Sequence, residues 1–165
     1  MRRIGMLLAD LFDEREFLYP YYRVQEAGYT PVVLGPEARE YRAKSGLAWK
    51  AELGAGEAPE LAGLLIPGGF APDYLRRSEA VLALVRKAAG EGKPLGAICH
   101  AGWVLISAGV VRGKRVTGFP SIRDDLVNAG GLYQEEGVVV DGNLVTAQGP
   151  KDLPGFMRAF LQLLG

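Results

Sequence analysis

The sequence predicts an α/β fold built on a mostly parallel central sheet. Apolar runs alternate along the chain with segments of helical spacing, and this alternation is typical of parallel strands joined by crossover helices. Glycine supplies 23 of the 165 residues, about twice its usual share, as many tight strand-to-helix turns would require. The length fits a single domain over residues 1–165 that can bury a sizeable core.

The first half of the chain contains three apolar runs that are predicted as buried strands, since both faces of a parallel strand are covered. They are residues 4–9, 30–34 and 61–66. Residues 14–27 carry apolar side chains at helical spacing, and Gly28 ends that segment. Pro20 predicts a kink or a boundary inside it. Residues 36–58 are the least regular part and leave room for a small antiparallel excursion.

The second half continues the alternation. Strands are predicted over 94–98, 116–118, 138–140 and 144–147, and helices over 78–89, over 100–108 and at the end of the chain. Ser121 and Asp124 have the spacing of a capping box, which predicts that they open a further helix. Asp141-Gly142-Asn143 predicts a turn between two strands, and Asp152 is a candidate cap for the last helix.

Composition excludes several classes of protein. Nineteen basic and nineteen acidic residues cancel, so the chain has no bulk positive field for nucleic acid, and near-zero charge favours self-association. One cysteine cannot form an intrachain disulfide. The N-terminal apolar run is interrupted by acidic residues, and the uncharged stretch 94–111 contains proline, glycine and histidine. Neither a signal peptide nor a membrane helix is predicted, and we expect a cytoplasmic protein.

The segment GAICHAG at residues 96–102 places a cysteine where a predicted strand passes into a helix. Alanines stand two positions before and two after Cys99, as the sharp turn of a nucleophile elbow requires. The helix N-terminus favours the thiolate form there. A lone apolar cysteine is more often inert. The elbow and the adjacent His100, which is the sole histidine, instead favour a reactive thiol beside an imidazole base.

Two further segments fit such a site. Gly68 and Gly69 end the preceding strand, and the backbone N–H of Gly69 with that of His100 can form an oxyanion hole. The alternative is a plain glycine turn. Acidic residues also follow the first strand at its carboxyl end, where a carboxyl group can hydrogen-bond the sulfur. Most of them equally suit a helix start, where negative charge is favourable.

Segments spread over nearly the whole chain occur together, and in this order, in one known family. They are Glu16 with Tyr19-Pro20-Tyr21, Leu65-Ile66-Pro67-Gly68-Gly69, Ala71-Pro72-Asp73, Gly92-Lys93-Pro94, Ala97-Ile98-Cys99-His100, Leu105-Ile106-Ser107-Ala108-Gly109-Val110, Asp124-Asp125, Asn128-Ala129-Gly130 and Val139-Val140-Asp141-Gly142-Asn143. By these residues the chain resembles the DJ-1/PfpI superfamily, most closely its PfpI (intracellular protease I) branch. The resemblance implies a flavodoxin-like three-layer sandwich, the architecture also found in class I glutamine amidotransferases.

The resemblance also implies roles for individual residues. Cys99 is the implied nucleophile, and Glu16 is the buried carboxyl that donates a hydrogen bond to its sulfur. His100 is the implied base, and its backbone N–H forms the oxyanion site with that of Gly69. In the PfpI branch a glutamate from a neighbouring subunit completes a triad with the histidine. Asp73 stands at that position and is one methylene shorter; its alternative role is to cap the following helix.

The expected substrate pocket contains Gly68, Phe70 and Phe119. Related sequences often carry arginine and tyrosine where this chain has Phe70 and Phe119, so polar substrate contacts are expected to be missing. Members of the superfamily assemble as dimers or hexamers with the site near an interface. The resemblance therefore implies a homo-oligomer, with no membrane or nucleic acid needed as a partner.

Three functions compete. The first is a cofactor-independent glyoxalase or deglycase that acts on reactive dicarbonyls or their adducts through a thiohemiacetal. The second is a PfpI-type intracellular cysteine peptidase, and the third is a redox-sensing stress protein that uses oxidation of Cys99. An amidotransferase needs a histidine distant from the cysteine, and a structural zinc site typically needs four ligands. The chain has one histidine, adjacent to its one cysteine, so neither reading is adopted and no metal or cofactor is expected.

Overall fold

The apolar runs of the sequence form a central seven-stranded sheet in the computed structural model, which describes residues 2–165. The strands are β1 (Arg3–Leu7), β2 (Thr30–Gly35), β3 (Arg39–Arg42), β4 (Ala48–Ala51), β5 (Leu53–Gly54), β6 (Gly63–Ile66), β7 (Leu95–Ile98), β8 (Arg115–Val116), β9 (Leu132–Tyr133), β10 (Val138–Asp141) and β11 (Leu144–Ala147). The main sheet has the order β10-β11-β7-β6-β1-β2-β5, and only the β10-β11 pair is antiparallel. The predicted mostly parallel α/β fold is confirmed.

Two minor sheets flank the main one. β3 and β4 form an antiparallel hairpin, so the small antiparallel excursion predicted within residues 36–58 is confirmed. β8 and β9 form a short parallel pair, and β8 is shorter than the strand predicted over 116–118. The predicted turn at Asp141-Gly142-Asn143 joins β10 to β11, with Gly142 in the left-handed region at φ +60°.

Helices cover both faces of the sheet and complete three layers. They are α1 (Glu14–Glu26), α2 (Ala71–Leu75), α3 (Glu79–Gly90), α4 (Gly102–Ala108), α5 (Arg123–Asn128) and α6 (Leu153–Leu164). α1 packs against α6, whereas α4 packs against α2, α3 and α5. Among residues 2–165, no helix combines the length and the apolar character that a membrane span requires.

α1 runs through Pro20 without ending there, so the predicted boundary is wrong. Proline has no N–H to donate to the carbonyl four residues earlier, which normally weakens a helix. Here the Asp13 side chain caps α1 by accepting hydrogen bonds from the backbone N–H groups of Arg15 and Glu16. The buried side chains of Phe17 and Val24 hold the helix on the core on either side of the proline.

The predicted capping box at Ser121 and Asp124 is also wrong. Ile122 occupies the N-cap position of α5, and no side chain caps that helix. The chain enters α5 through a 3₁₀ turn over Pro120–Ile122, in which the N–H of Ile122 donates to the carbonyl of Phe119. The 3₁₀ turn thus provides a backbone acceptor for the Ile122 N–H at the start of the helix. The Ser121 hydroxyl is not needed as a cap and is free for another contact. Asp152 likewise ends a 3₁₀ turn over Pro150–Asp152 and stands at the N-cap of α6 without a side-chain cap bond.

Close packing of α6 on the sheet depends on glycines in β6 and β7. A Cβ atom at Gly96 would lie 2.8 Å from Leu65 Cδ2 and 2.9 Å from Phe156 Cζ. A Cβ atom at Gly63 would lie 3.0 Å from Phe160 Cζ. The aromatic rings of α6 therefore sit directly on the backbone of the strand that leads to Cys99.

We expect Gly96→Ala to lower the free energy of unfolding by about 1–3 kcal/mol, because the added methyl group overpacks the contact with Phe156. Gly90→Ala is the matched control, since a Cβ at this helical position meets no atom within 4 Å. That variant is expected to gain about 0.5 kcal/mol, because alanine is the better helix former. Urea unfolding of both variants measures the difference. Equal stabilities would show that α6 does not need the glycine.

Candidate active site

Cys99 lies at a strained turn directly after β7. It begins a 3₁₀ turn over Cys99–Ala101 that leads into α4, and its φ is +63°. Leu11 is the only other non-glycine residue within 2–165 with a positive φ. An L-residue in the left-handed region costs about 1–2 kcal/mol, so the surrounding packing must impose this conformation. The backbone thus has the sharp strand-to-helix turn that the elbow sequence predicts.

The Cys99 sulfur is surrounded by hydrogen-bonding groups. Sγ lies 3.3 Å from His100 Nδ1, and the backbone N–H groups of Gly69 and His100 are near enough to act on it and oppose the rise in the thiol pKa. Gly69 has a φ of +76°, and a Cβ there would lie 2.5 Å from Leu11 O and 2.6 Å from Asp13 N. Only glycine fits this position without strain. The two N–H groups predicted as the oxyanion hole therefore converge at the nucleophile.

Glu16 reaches the same point from the first turn of α1. Glu16 is 2% exposed, and its Oε1 accepts a hydrogen bond of 2.9 Å from Gly68 N. Oε2 finds no hydrogen-bond partner among residues 2–165. A Cβ at Gly68 would lie 2.4 Å from Glu16 Oε1 and 2.7 Å from Cys99 Cβ. Gly68, predicted to line the substrate pocket, here allows the carboxyl group and the nucleophile to lie close together.

The environment raises the pKa of both groups. Burial, reinforced by the nearby Asp13 carboxylate, raises the pKa of Glu16 to about 7. Burial raises the pKa of the Cys99 thiol to about 12, and the charge of Glu16 adds to this effect. The thiolate expected at the helix N-terminus is therefore disfavoured while Glu16 is ionised. When Glu16 is neutral the repulsion disappears, and its O–H becomes available as a hydrogen-bond donor.

His100 is held by contacts on several sides. Its Nδ1 faces Cys99, and its Nε2 lies 3.1 Å from Ser121 Oγ. The ring stacks on Phe119 at 5.0 Å between centroids and meets the edge of Trp103 at 5.1 Å. Burial lowers the pKa of His100, so the imidazole is neutral at pH 7. No local pattern in the sequence predicts Ser121 or Trp103 as a neighbour of the histidine.

Asp73 does not contact His100 within the described part of the chain. It lies in the first turn of α2, and its carboxylate pairs with Arg77. The alternative in which Asp73 caps the helix is wrong, because Phe70 occupies the N-cap position and α2 has no side-chain cap bond. The helix begins before Pro72, so Asp73 is already inside it. Its part in a triad formed across an interface stays a prediction.

The predicted apolar pocket residues occupy different places. Phe119 is 40% exposed and forms one wall of the site through its stacking on His100. Phe70 is 61% exposed and lies at the rim, where its backbone N–H donates to the carbonyl of Leu11. Leu11 and Tyr74 are also exposed, and Tyr74 lies on α2, the short helix that begins directly after Phe70.

These features define a class of α/β sandwich protein. Its members carry a cysteine at a sharp turn beside a buried carboxyl group, where the parallel strands of the sheet have their C-terminal ends. The model of the DJ-1/PfpI family matches residues 2–163 of this sequence. The chain belongs to the DJ-1/PfpI family, as its sequence resemblance predicts.

Individual relatives cover the whole chain. "Deglycase PfpI" from Pyrococcus furiosus is 40% identical over 164 residues, 98% of this chain and 99% of that protein. "Putative cysteine protease YraA" from Bacillus subtilis is 39% identical over 166 residues, 99% of this chain and 98% of that protein. The crystal structure of an Anabaena variabilis protein with DJ-1/ThiJ/PfpI-like and ferritin-like domains superposes with a TM-score of 0.97 at 38% identity. It covers 100% of this chain, which spans 48% of that two-domain protein.

The raised pKa of Glu16 predicts a pH-dependent contribution to stability. The pKa of this carboxyl group rises from 4.5 in the unfolded chain to about 7 in the folded protein, so protonation favours the folded state. The stabilisation from protonation is fully present below pH 4.5. That contribution, about 3 kcal/mol, is lost as the pH rises through 7. Glu16→Gln lacks this titration, so we expect its stability relative to wild type to increase by about that amount between pH 4.5 and pH 8.

Urea unfolding at the two pH values measures this difference. Glu14→Gln is the matched control, because it removes a carboxyl group from the same helical turn at a half-buried position. It should follow wild type at both pH values. A constant offset between Glu16→Gln and wild type would mean that burial does not shift the titration of Glu16.

The same substitution is expected to lower the pKa of the Cys99 thiol, because the amide carries no charge to repel the thiolate. Alkylation by iodoacetamide between pH 6 and pH 10 reports the thiolate of this single cysteine without interference. Below the thiol pKa, each unit by which it falls speeds alkylation about tenfold. Unchanged alkylation in Glu16→Gln would contradict electrostatic coupling between the two groups.

Proposed function

We propose that the chain is a cysteine-dependent deglycase and glyoxalase that attacks reactive dicarbonyls, or their adducts with amines, through Cys99. The observation that carries the proposal is the convergence of the thiol, the imidazole Nδ1 at 3.3 Å and two backbone N–H donors on one point. A full-length relative at 40% identity is named a deglycase. The proposed reaction requires no cofactor.

In the first step the Cys99 sulfur adds to the aldehyde carbon of the substrate. The S–C bond forms as the thiol proton passes to His100 Nδ1, and the carbonyl π electrons move onto oxygen. The backbone N–H groups of Gly69 and His100 stabilise the resulting oxyanion. The oxyanion takes the proton back from the imidazolium, which leaves a thiohemiacetal and a neutral His100.

The second step converts the thiohemiacetal into a thioester. A base, either His100 or the Glu16 carboxylate, removes the proton from the carbon that carries sulfur and returns it to the adjacent carbonyl carbon. The hydroxyl proton of the thiohemiacetal passes to the neighbouring oxygen at the same time, so the carbon bonded to sulfur becomes the thioester carbonyl and its neighbour carries the hydroxyl group. Water then cleaves the S–C bond and releases a 2-hydroxy acid with the thiol restored. Overall, one dicarbonyl and one water give one hydroxy acid. With a hemiaminal adduct, the thiol displaces the amine, which leaves with one proton, and the same thiohemiacetal follows.

Glu16 controls the thiol before substrate arrives. In the neutral form the proton can sit on Oε2, the oxygen that has no other hydrogen-bond partner among residues 2–165. The resulting O–H can donate to the Cys99 sulfur, and this hydrogen bond stabilises the thiolate. In its ionised form it repels the thiolate and keeps the proton on sulfur. Neutral Glu16 therefore eases the loss of the thiol proton to His100, and it defines the reactive state.

A second candidate is a peptidase, because one full-length relative is named a putative cysteine protease. The same nucleophile would then attack an amide carbon. Cys99 is only 9% exposed, and the stacked rings of Phe119 and His100 stand beside it. This restricted access favours a small carbonyl compound over an extended polypeptide.

Self-association is part of the proposal. Phe70, Leu11 and Tyr74 expose apolar surface, and Asp73 lies on the same short helix as Tyr74. A homo-oligomer that covers this surface would bring Asp73 of the partner subunit towards His100. Apolar surface of this kind often marks contacts between proteins.

Purified protein is expected to convert methylglyoxal into lactate catalytically, and Cys99→Ser should abolish this turnover because serine is the weaker nucleophile. His100→Ala is expected to lower kcat by about 10²–10⁴ through loss of the base. Asp73→Ala should lower kcat if the partner subunit's Asp73 orients His100. Asp141→Ala is the matched control, because Asp141 also pairs with an arginine, Arg115. Asp141 ends β10 opposite Leu144, beside the start of β7, and so lies at the end of the sheet away from Cys99.

The outcomes separate the candidate functions. Absence of lactate with a thiol intact by mass would rule out the glyoxalase activity, and release of amine from glycated peptides would then test deglycation alone. Hydrolysis of unmodified peptides that depends on Cys99 would favour the peptidase. Full activity of Asp73→Ala, or of a monomer in solution, would exclude a triad shared between subunits.

A further inference from the structure

The Ser121 hydroxyl is the polar side-chain group that meets the far side of the His100 ring. Ser121 Oγ lies 3.1 Å from Nε2, while Nδ1 faces the Cys99 sulfur. The hydroxyl takes no part in capping α5, although its place in the sequence suggests that role. Its contact with the histidine therefore needs another explanation.

The turn that carries Ser121 is attached to the nucleophile itself. The N–H of Phe119 donates to the carbonyl of Cys99 at 3.1 Å, and the N–H of Ile122 donates to the carbonyl of Phe119 at 2.9 Å. The Phe119 side chain also stacks on the imidazole. These bonds fix the serine relative to Cys99 and His100 although its side chain is exposed.

The direction of the first proton transfer determines which tautomer His100 needs. A neutral imidazole carries one N–H, and the ring nitrogen that accepts the thiol proton must be the unprotonated one. Nδ1 faces the thiol, so the hydrogen belongs on Nε2, which must then donate to an acceptor. Ser121 Oγ is at hydrogen-bond distance from Nε2, whereas the Asp73 carboxylate of the same chain is engaged by Arg77.

We propose that Ser121 is a positioning residue that holds His100 as the Nε2–H tautomer, with Nδ1 free to take the proton of Cys99. The inference rests on the proposed cysteine chemistry and assigns an orienting group for its base within the same chain. Phe119 and Trp103 restrict the plane of the ring. The serine then provides the acceptor for Nε2–H, which leaves Nδ1 unprotonated beside the sulfur.

A hydroxyl differs from a carboxylate in this role. It accepts the Nε2–H bond but adds no negative charge, so it orients the ring without stabilising the imidazolium. The surroundings also disfavour the charged ring, since burial and the nearby Lys44 ammonium lower the pKa of His100. The imidazolium formed in the first step therefore returns its proton readily to the oxyanion.

NMR tests the proposal directly, because His100 is the only histidine of the chain. Long-range ¹H–¹⁵N spectra of untagged protein at pH 8 report which ring nitrogen carries the hydrogen. We expect the Nε2–H tautomer in wild type and in Ser121→Thr, and a mixture of tautomers in Ser121→Ala. Ser78→Ala is the matched control, because it removes a serine hydroxyl that caps α3 and should leave the ring signals unchanged. An Nδ1–H tautomer in wild type, or identical spectra for wild type and Ser121→Ala, would overturn the proposal.

Steady-state kinetics with methylglyoxal provide the second readout. Ser121→Ala is expected to lower kcat about fivefold, the worth of one neutral hydrogen bond, with KM unchanged and activity restored in Ser121→Thr. An effect on KM alone, or no rescue by threonine, would contradict a positioning role. If wild type forms no lactate, the proposed glyoxalase activity fails while the NMR experiment still decides the role of Ser121.

Discussion

The buried hydrogen bond between the Glu16 carboxyl group and the backbone N–H of Gly68 is the contact on which the site depends. It joins the first turn of α1 to the end of β6 and leaves the carboxyl group beside Cys99. A buried carboxyl group normally costs stability unless it is neutral or well bonded. Here one oxygen is bonded and the other is not, so the protonated state is favoured and a proton donor remains next to the nucleophile.

The charges around Glu16 extend the site beyond the sheet edge. Asp13 caps α1, pairs with Arg15 and also receives Lys44 from the turn between β3 and β4 at 3.2 Å. Burial and, after it, the Asp13 carboxylate raise the pKa of Glu16, and Lys44 opposes that rise. Burial and, after it, Lys44 lower the pKa of His100. The β3-β4 hairpin therefore contributes to the site, because it supplies Lys44, whose positive charge offsets the negative charges of Asp13 and Glu16.

Much of the fold and part of the site can be predicted from sequence, for identifiable reasons. The parallel strands and the helices α1 and α3 have clear apolar patterns in the sequence, and burial of these apolar residues in the core makes such patterns reliable predictors. The elbow at Cys99 is equally local, since the alanines at 97 and 101 show where the backbone must turn tightly. The errors lie at helix entrances, where 3₁₀ turns satisfy the backbone and leave Ser121 and Asp152 without cap bonds.

Contacts between distant parts of the chain were harder to predict. No periodicity links Glu16 to Gly68, which lies 52 residues away, and family resemblance was needed to nominate Glu16. Ser121 lies 21 residues from His100, and its local pattern indicated a helix cap instead. The ionisation of the thiol depends on burial and on Glu16, and these are properties of the folded molecule rather than of the elbow sequence.

The left-handed backbone at Cys99 has a consequence for how the sequence evolves. At most positions with positive φ among residues 2–165 the residue is glycine, which adopts that conformation without strain. A cysteine there costs conformational energy that a glycine would not. Random mutation and selection for stability alone would therefore drift towards replacing it. A thiol at this φ is therefore expected to persist only where its chemistry outweighs that cost, and Leu11, the other non-glycine residue with positive φ among residues 2–165, carries the same conformational cost.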